Sequence, residues 1–414
     1  MDDQGRSKAG VRMIWLALVS ALISQPLAAE EPEETTAENS IAVVPLINFT
    51  TDRGVGYGAY GAVFHLGPEG PGDAPYLAQI GAQFYRTTGG YQDHKLVVDL
   101  PRLKDGAFRA NIQVGLETWD GAFYFGQGNL LPRVRPADTP ENYYAFGLDS
   151  LRVVSNVRTP IGGQFELFTG HLARGAEITV YPDSRLEADQ PTGVEGGWIS
   201  QLQAGLLIDS RDHEISPTEG LYSEVSMRVS HPVLGSTWTL WGANITNRQY
   251  HTLGQSKLVL AMREAIDIQR GETPFFHQIV MGGSEWVDIG GPIAMRGLPI
   301  GRYRGANTAY GDAELRWGIK DFSSRRSSYR LFLVSFIGGA RIFDAGEDGG
   351  LFEGDLAHGG AGGGIRLLYD EVFLVRVDIA AGRETYTDPA DPLSTAVAER
   401  AWVPGVYVAF NAPY

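Results

Sequence analysis

One pattern limits what this chain can become: apolar residues recur at every second position, and the side between them repeatedly carries full charges. In 221–230, Val225, Met227 and Val229 alternate with Glu224, Ser226, Arg228 and Ser230. In 311–319, Ala313, Leu315, Trp317 and Ile319 alternate with Asp312, Glu314 and Arg316. In 373–381, Phe373, Val375, Val377 and Ile379 alternate with Arg376 and Asp378. Side chains of a strand point to opposite faces in turn, so each segment has one apolar and one polar face. A soluble sandwich has this property too. A polar face charged this often fits better with a transmembrane antiparallel β-barrel, whose apolar face meets lipid and whose polar face lines a lumen. The fold class is therefore all-β.

Sixteen segments read as strands: 41–49, 54–66, 75–87, 94–101, 107–118, 143–154, 164–177, 198–209, 220–231, 236–249, 256–268, 309–319, 329–343, 359–369, 371–382 and 401–410. Connections after even strands are mostly short (102–106, 155–163, 250–255, 370). Several after odd strands are long (119–142, 178–197, 269–308, 344–358, 383–400). Short turns on one side and long loops on the other are the habit of outer-membrane barrels, and they place the short turns and both chain ends in the periplasm.

The N-terminus predicts the compartment. Arg6, Lys8 and Arg12 precede the apolar run Met13–Ile23, which is too short to span a bilayer, and Ala28-Ala29 closes the segment with small residues. That is the layout of a cleaved secretory signal peptide over 1–29. The acidic residues that follow predict a short disordered linker over 30–40, leaving 41–414 for a barrel in the outer membrane of a Gram-negative bacterium. With 0 Cys there are no disulfides and no thiolate metal sites, and the net charge of −15 argues against a nucleic-acid partner. The eight histidines (65, 94, 171, 213, 231, 251, 277, 358) have no metal-ligand spacing. Ser284 in Gly-Gly-Ser-Glu-Trp is not a nucleophile elbow, and Gly360–Gly364 lacks the Lys-Ser/Thr of a phosphate loop. No catalytic set, metal or cofactor is expected, so the chain reads as a non-enzyme.

The stretch 282–317 is a long, glycine-punctuated connection that keeps its aromatic and aliphatic residues. Long loops inside compact chains are functional or disordered, and this composition predicts a loop folded back into the lumen. Gly290, Gly291, Gly297 and Gly301 suit a chain that bends tightly there.

Several motifs, in order, resemble the barrel of the BamA/TamA superfamily, the bacterial surface antigen family. They are Val55-Gly-Tyr-Gly-Ala-Tyr-Gly61; Leu207-Ile-Asp-Ser-Arg-Asp212 followed by Pro217 and Gly220; Met295-Arg-Gly-Leu298; Phe343-Asp-Ala-Gly346; Gly362-Gly-Gly-Ile-Arg366; and Arg376-Val-Asp378. The resemblance covers roughly 41–414. Leu298 stands where that family has an aromatic, and residues 30–40 are too few for the family's periplasmic polypeptide-transport-associated domains.

The resemblance implies that Arg296 and Gly297 dock the loop inside the barrel against Glu314 and Asp344, a loop lock. Parity puts Glu314 on the polar face of its strand; both parities around Asp344 are partly apolar, so its facing is open. Asp209, Arg211, Asp212, Pro217 and Gly220 read as a periplasmic turn held by side-chain hydrogen bonds. Tyr407, Phe410 and the terminal Tyr414 resemble the C-terminal signal read by the barrel-assembly machinery, and Pro404-Gly405 would weaken pairing where the barrel closes. The implied activity is assisting insertion or translocation of a polypeptide or lipid client at the outer membrane, with outer-membrane lipids and the assembly machinery as partners. The alternatives are a passive plugged pore, or a structural barrel that anchors a periplasmic or surface partner.

Overall fold

The computed structural model describes residues 39–410 apart from 51, 67–75, 105, 129–130, 132–135, 137, 255–256, 325–326, 344–357, 370–372 and 388–396. Sixteen strands form the barrel. They are β1 Asn39–Thr50, β2 Gly54–Leu66, β3 Tyr76–Thr87, β4 Gln92–Leu103, β5 Phe108–Phe123, β6 Ala145–Gly162, β7 Phe165–Thr179, β8 Gly197–Asp209, β9 Gly220–Ser230, β10 Leu240–Thr252, β11 Leu258–Gly271, β12 Asn307–Ser324, β13 Ser327–Phe343, β14 His358–Tyr369, β15 Phe373–Thr387 and β16 Val397–Phe410. Each pairs antiparallel with its sequence neighbour, and β16 returns to β1 to close the ring. Closure matters because hydrocarbon offers backbone groups no partner, so a spanning sheet must satisfy them within itself.

Burial is inverted relative to a soluble protein. On β9, Val225, Met227 and Val229 are 54%, 63% and 48% exposed, while Glu224 and Arg228 are 2% and 4% exposed. On β15, Val377 and Ile379 face outward and Arg376 and Asp378 are buried. Among the described residues no helix is long and apolar enough to cross a membrane, so strands are what this fold offers a bilayer.

Some boundaries differ from those expected. The stretch 155–163 read as a connection, yet β6 runs on to Gly162, paired with β7 with one register shift between Pro160 and Gly162, so the hairpin loop shrinks to Gly163-Gln164. Likewise β12 continues through Lys320–Ser324 to meet β13. In both places polar and proline residues hid strand that is paired beyond the band of regular alternation. The loop end of the barrel also holds a short α-helix, α1 (Arg185–Asp189), whose first turn is capped by Ser184 Oγ accepting from the Glu187 N–H at 3.1 Å.

The ring is uneven. β12 and β13 are paired from Asn307↔Phe343 to Ser324↔Ser327 with a single register shift. Among the described residues, β1 and β16 share Phe49↔Val408 and Thr50↔Tyr407 alone. Residues 39–48 of β1 have β2 on one side and, among the described residues, no strand on the other.

Candidate functional site

The connection between β11 and β12, residues 272–306, meets inward-facing side chains on β9 through β16 and so runs along the inner wall. Its centre is Arg296, 3% exposed. Arg296 Nη1 donates to Glu314 Oε2 at 2.7 Å and lies 3.4 Å from Asp378 Oδ2, while Nη2 lies 3.4 Å from Asp312 Oδ2. The Phe336 ring of β13 sits under the guanidinium, 3.5 Å from its carbon, close enough for a cation–π contact. Glu314 also accepts from Arg366 Nη2 and from Arg316 Nε, both at 2.9 Å, and Arg366 pairs with Asp378 as well. Three carboxylates thus hold three arginines of β12, β14 and the loop in one buried network. A planar guanidinium can engage several carboxylates at once in fixed geometry, which a lysine ammonium cannot.

Glycine makes this approach possible. Gly297 has φ +106°, and a Cβ there would lie 2.4 Å from the backbone N of Gly382 on β15. A Cβ on Gly360 of β14 would lie 2.3 Å from the Arg296 carbonyl oxygen. The loop backbone therefore rests directly on two strand backbones. Met295, just before Arg296, also has positive φ (58°), a conformation that costs a non-glycine residue about 1–3 kcal/mol. Leu298 is buried with Met295, Ile289 and Tyr303; the aromatic ring that reaches Arg296 comes from β13 instead.

The same loop touches both sides of the β1–β16 junction. The Gly297 N–H donates to Tyr407 Oη of β16 at 3.0 Å. The Ile300 N–H donates to Asp52, in the β1–β2 turn, at 3.4 Å. Upstream, the loop docks on β9–β11: Ser284 N donates to Glu224 Oε1 at 2.9 Å, Gly282 N to Asp267 Oδ2 at 2.8 Å, and Arg248 pairs with Glu285. Asp267 in turn takes Arg228 at 2.6 and 2.9 Å.

The structure thus places Arg296, Gly297 and Glu314 together. Asp344 and Tyr414 lie outside the described residues. Phe410 ends β16, and Tyr407 is 2% exposed and turned toward the loop. Asp312, Arg316, Arg366 and Asp378 belong to the network but were not singled out from the sequence as part of it. Their signal was parity: Asp312 and Arg316 share the face of Glu314, and Asp378 alternates with Val377 and Ile379.

The turn after β8 carries its own set of side-chain bonds. Arg211 binds Asp209 through Nε at 2.9 Å and Nη2 at 2.7 Å. Asp212 Oδ1 accepts from Thr218 N at 2.8 Å and Glu219 N at 3.1 Å, and its Oδ2 accepts from the Thr218 hydroxyl at 2.5 Å. Partial burial works against the Asp212 carboxylate, yet the Thr218 hydroxyl and these N–H groups hold its pKa below the usual aspartate value. Gly220 has φ +105°, and a Cβ there would strike the Ser210 carbonyl oxygen at 2.3 Å.

Against known proteins, a family profile described as the Omp85 superfamily domain matches residues 106–389. Among solved structures, BamA from Haemophilus ducreyi lacking POTRA domains 1–3 superposes with a TM-score of 0.55 at 13% identity, over 91% of this chain and 70% of that one. CdiB from Escherichia coli superposes with a TM-score of 0.52 at 12% identity, over 91% of this chain and 68% of that one. At these identities the likeness is one of fold. No curated protein matches the sequence significantly.

Proposed function

The chain belongs to the Omp85 superfamily, and from that premise we propose that it is an outer-membrane barrel that helps a polypeptide, or a lipid, enter or cross the membrane at its β1–β16 seam. In this reading the 272–306 loop is a lock held by Arg296, Gly297 and Glu314. Residues 1–29 export the chain, the linker expected over 30–40 gives way to β1 at Asn39, the short even turns lie in the periplasm, and Tyr407 and Phe410 belong to the signal read by the assembly machinery.

One observation carries the proposal: among the described residues, a strand edge is left without a partner strand next to a closure of two residue pairs. Unpaired N–H and C=O groups on a strand edge are a template for another strand. In hydrocarbon each unsatisfied group costs several kcal/mol, which is a drive to recruit one. A client segment that adds to the β1 edge would satisfy it. The loop contacts to Tyr407 and Asp52 would then report the state of the lock to both sides of the seam.

Depletion of the protein followed by outer-membrane proteomics and lipid-asymmetry measurement tests the role. Specific barrel proteins, or lipid asymmetry, should be lost; an unchanged membrane would count against any insertion or transport function. Planar-bilayer recording of the purified protein separates a lock from a passive pore. The locked barrel should be mostly closed, with conductance rising in Arg296→Ala. Large, stable channels indifferent to that change would favour a porin.

A further inference from the structure

The turn 210–219 is the longest described connection at the end of the barrel where β1 begins, and it does not stay beside the strands it joins. On one side Glu214 lies 3.5 Å from Arg109 of β5. On the other, Ile215 packs against a buried cluster of Phe332 and Val334 (β13), Leu368 (β14) and Leu374 (β15). Between these, the Pro217 carbonyl oxygen accepts from Arg316 of β12 at 3.4 Å, and that of Thr218 accepts from the Thr252 hydroxyl of β10 at 3.2 Å. In a ring of sixteen strands β5 and β13–β15 stand on opposite arcs. A single turn that touches both must cross the mouth.

The wall beneath Ile215 supports this. Phe332 and Val334 share the inward parity of Phe336, so Phe332, Val334, Leu368 and Leu374 form an apolar patch on a face that elsewhere carries Glu224, Arg228, Glu314, Arg366 and Asp378. An inward apolar patch on a water-filled barrel would be poorly placed unless something covers it, and all four residues are under 9% exposed. The covering residue comes from a turn that is stiffened by the Asp209–Arg211 pair and by Asp212 bound to Thr218 and Glu219.

We propose that residues 210–219 form a strap that closes the terminal-end mouth of the lumen, with Ile215 as its latch on the Phe332–Val334–Leu368–Leu374 patch. This second closure is distinct from the 272–306 loop and meets its network through Arg316, which binds both Glu314 and the Pro217 carbonyl. Release of Ile215 would open the lumen from that side and bare an apolar surface to whatever enters.

The chain has no native cysteine, so accessibility can be read at one introduced thiol. Val334→Cys and, as a reference on the strap itself, Glu214→Cys are reacted with a water-soluble fluorescent maleimide on the full-length protein in detergent micelles. The thiol at 334 should react far more slowly than that at 214. Adding Ile215→Ser should speed labelling at 334 by about tenfold or more, the size expected when an apolar anchor is lost. Ile215→Ala should give a smaller rise in the same direction. Heat-modifiable migration verifies that each variant is folded. A thiol at 334 that reacts as fast as that at 214 in the otherwise native protein would overturn the strap. So would labelling that neither Ile215→Ser nor Ile215→Ala changes in folded protein. Labelling needs no client, so either outcome leaves the transport reading to its own test.

Discussion

The β12–β13 wall and the β1–β16 seam both hold neighbouring strands of one barrel, and they do so by opposite means. The wall is paired along almost the whole of both strands, and its inner face is tied by Arg296, Glu314, Arg316 and Arg366. Among the described residues the seam has two residue pairs, and the loop reaches it through hydrogen bonds to Tyr407 and Asp52. Stability in a closed sheet is therefore not shared evenly. Ladder length and buried side-chain bonds favour the wall, which leaves the β1–β16 junction, a quarter of the ring away, as the place where local opening costs least.

The largest expected effect tests the wall. Glu314→Ala strips the shared acceptor from Arg296, Arg316 and Arg366 and leaves this buried cluster with more positive than negative charge, a loss of about 3–5 kcal/mol. Urea unfolding followed by the gel shift should move to clearly lower denaturant; an unchanged midpoint would mean that the ladder alone holds this arc. Next in size, a disulfide between Phe49→Cys and Val408→Cys, which are Cα partners across the seam, should stabilise the barrel by about 2–4 kcal/mol while stopping client handling. Full activity in the oxidised protein would show that the seam need not part. Tyr407→Phe removes the acceptor of the Gly297 N–H and should cost about 1–3 kcal/mol, since that donor is left buried without it. Its larger signature should be more frequent opening in bilayer recordings, and an unaltered closed fraction would uncouple the loop from β16.

The smallest effect lies away from both arcs. Asp212 has a folded pKa below its ordinary value of about 4. A depressed carboxylate contributes fully above its unfolded pKa and loses that contribution as the pH falls through the folded value. The contribution of Asp212 to the 210–219 turn should therefore be fully present near neutrality and be lost only in strong acid. Backbone exchange of 210–219 measured against pH checks this, and Asp212→Asn should reduce the acid dependence, with the Asp209–Arg211 pair supplying the remainder.

Most of the architecture was legible because it rests on a local signal. Alternation of single residues such as Val225, Met227 and Val229 with Glu224 and Arg228 sets strand, facing and lipid contact together, without knowledge of any partner. Strand ends were less legible where Pro160 or the polar Ser323 and Ser324 continue a ladder that only the neighbouring strand reveals. For the buried network, parity could say that Asp312, Glu314 and Asp378 face inward. Which carboxylates meet Arg296 depends on register across β12–β15 and on the glycines that let the loop rest on β14 and β15, and neither is a property of a short stretch of sequence. The latch was hidden for a similar reason: Ile215 is an ordinary apolar residue in a turn, and its partners come from strands more than a hundred positions away.

Amide hydrogen exchange resolved along the barrel tests the unequal division of stability most directly. In folded protein the amides of residues 39–48 and of the β16 segment around Tyr407 should exchange far faster than those of β12 and β13, and the disulfide at 49 and 408 should narrow the gap. Equal protection of β1 and β12 before cross-linking would contradict the account, because the seam would then be no easier to open than the wall.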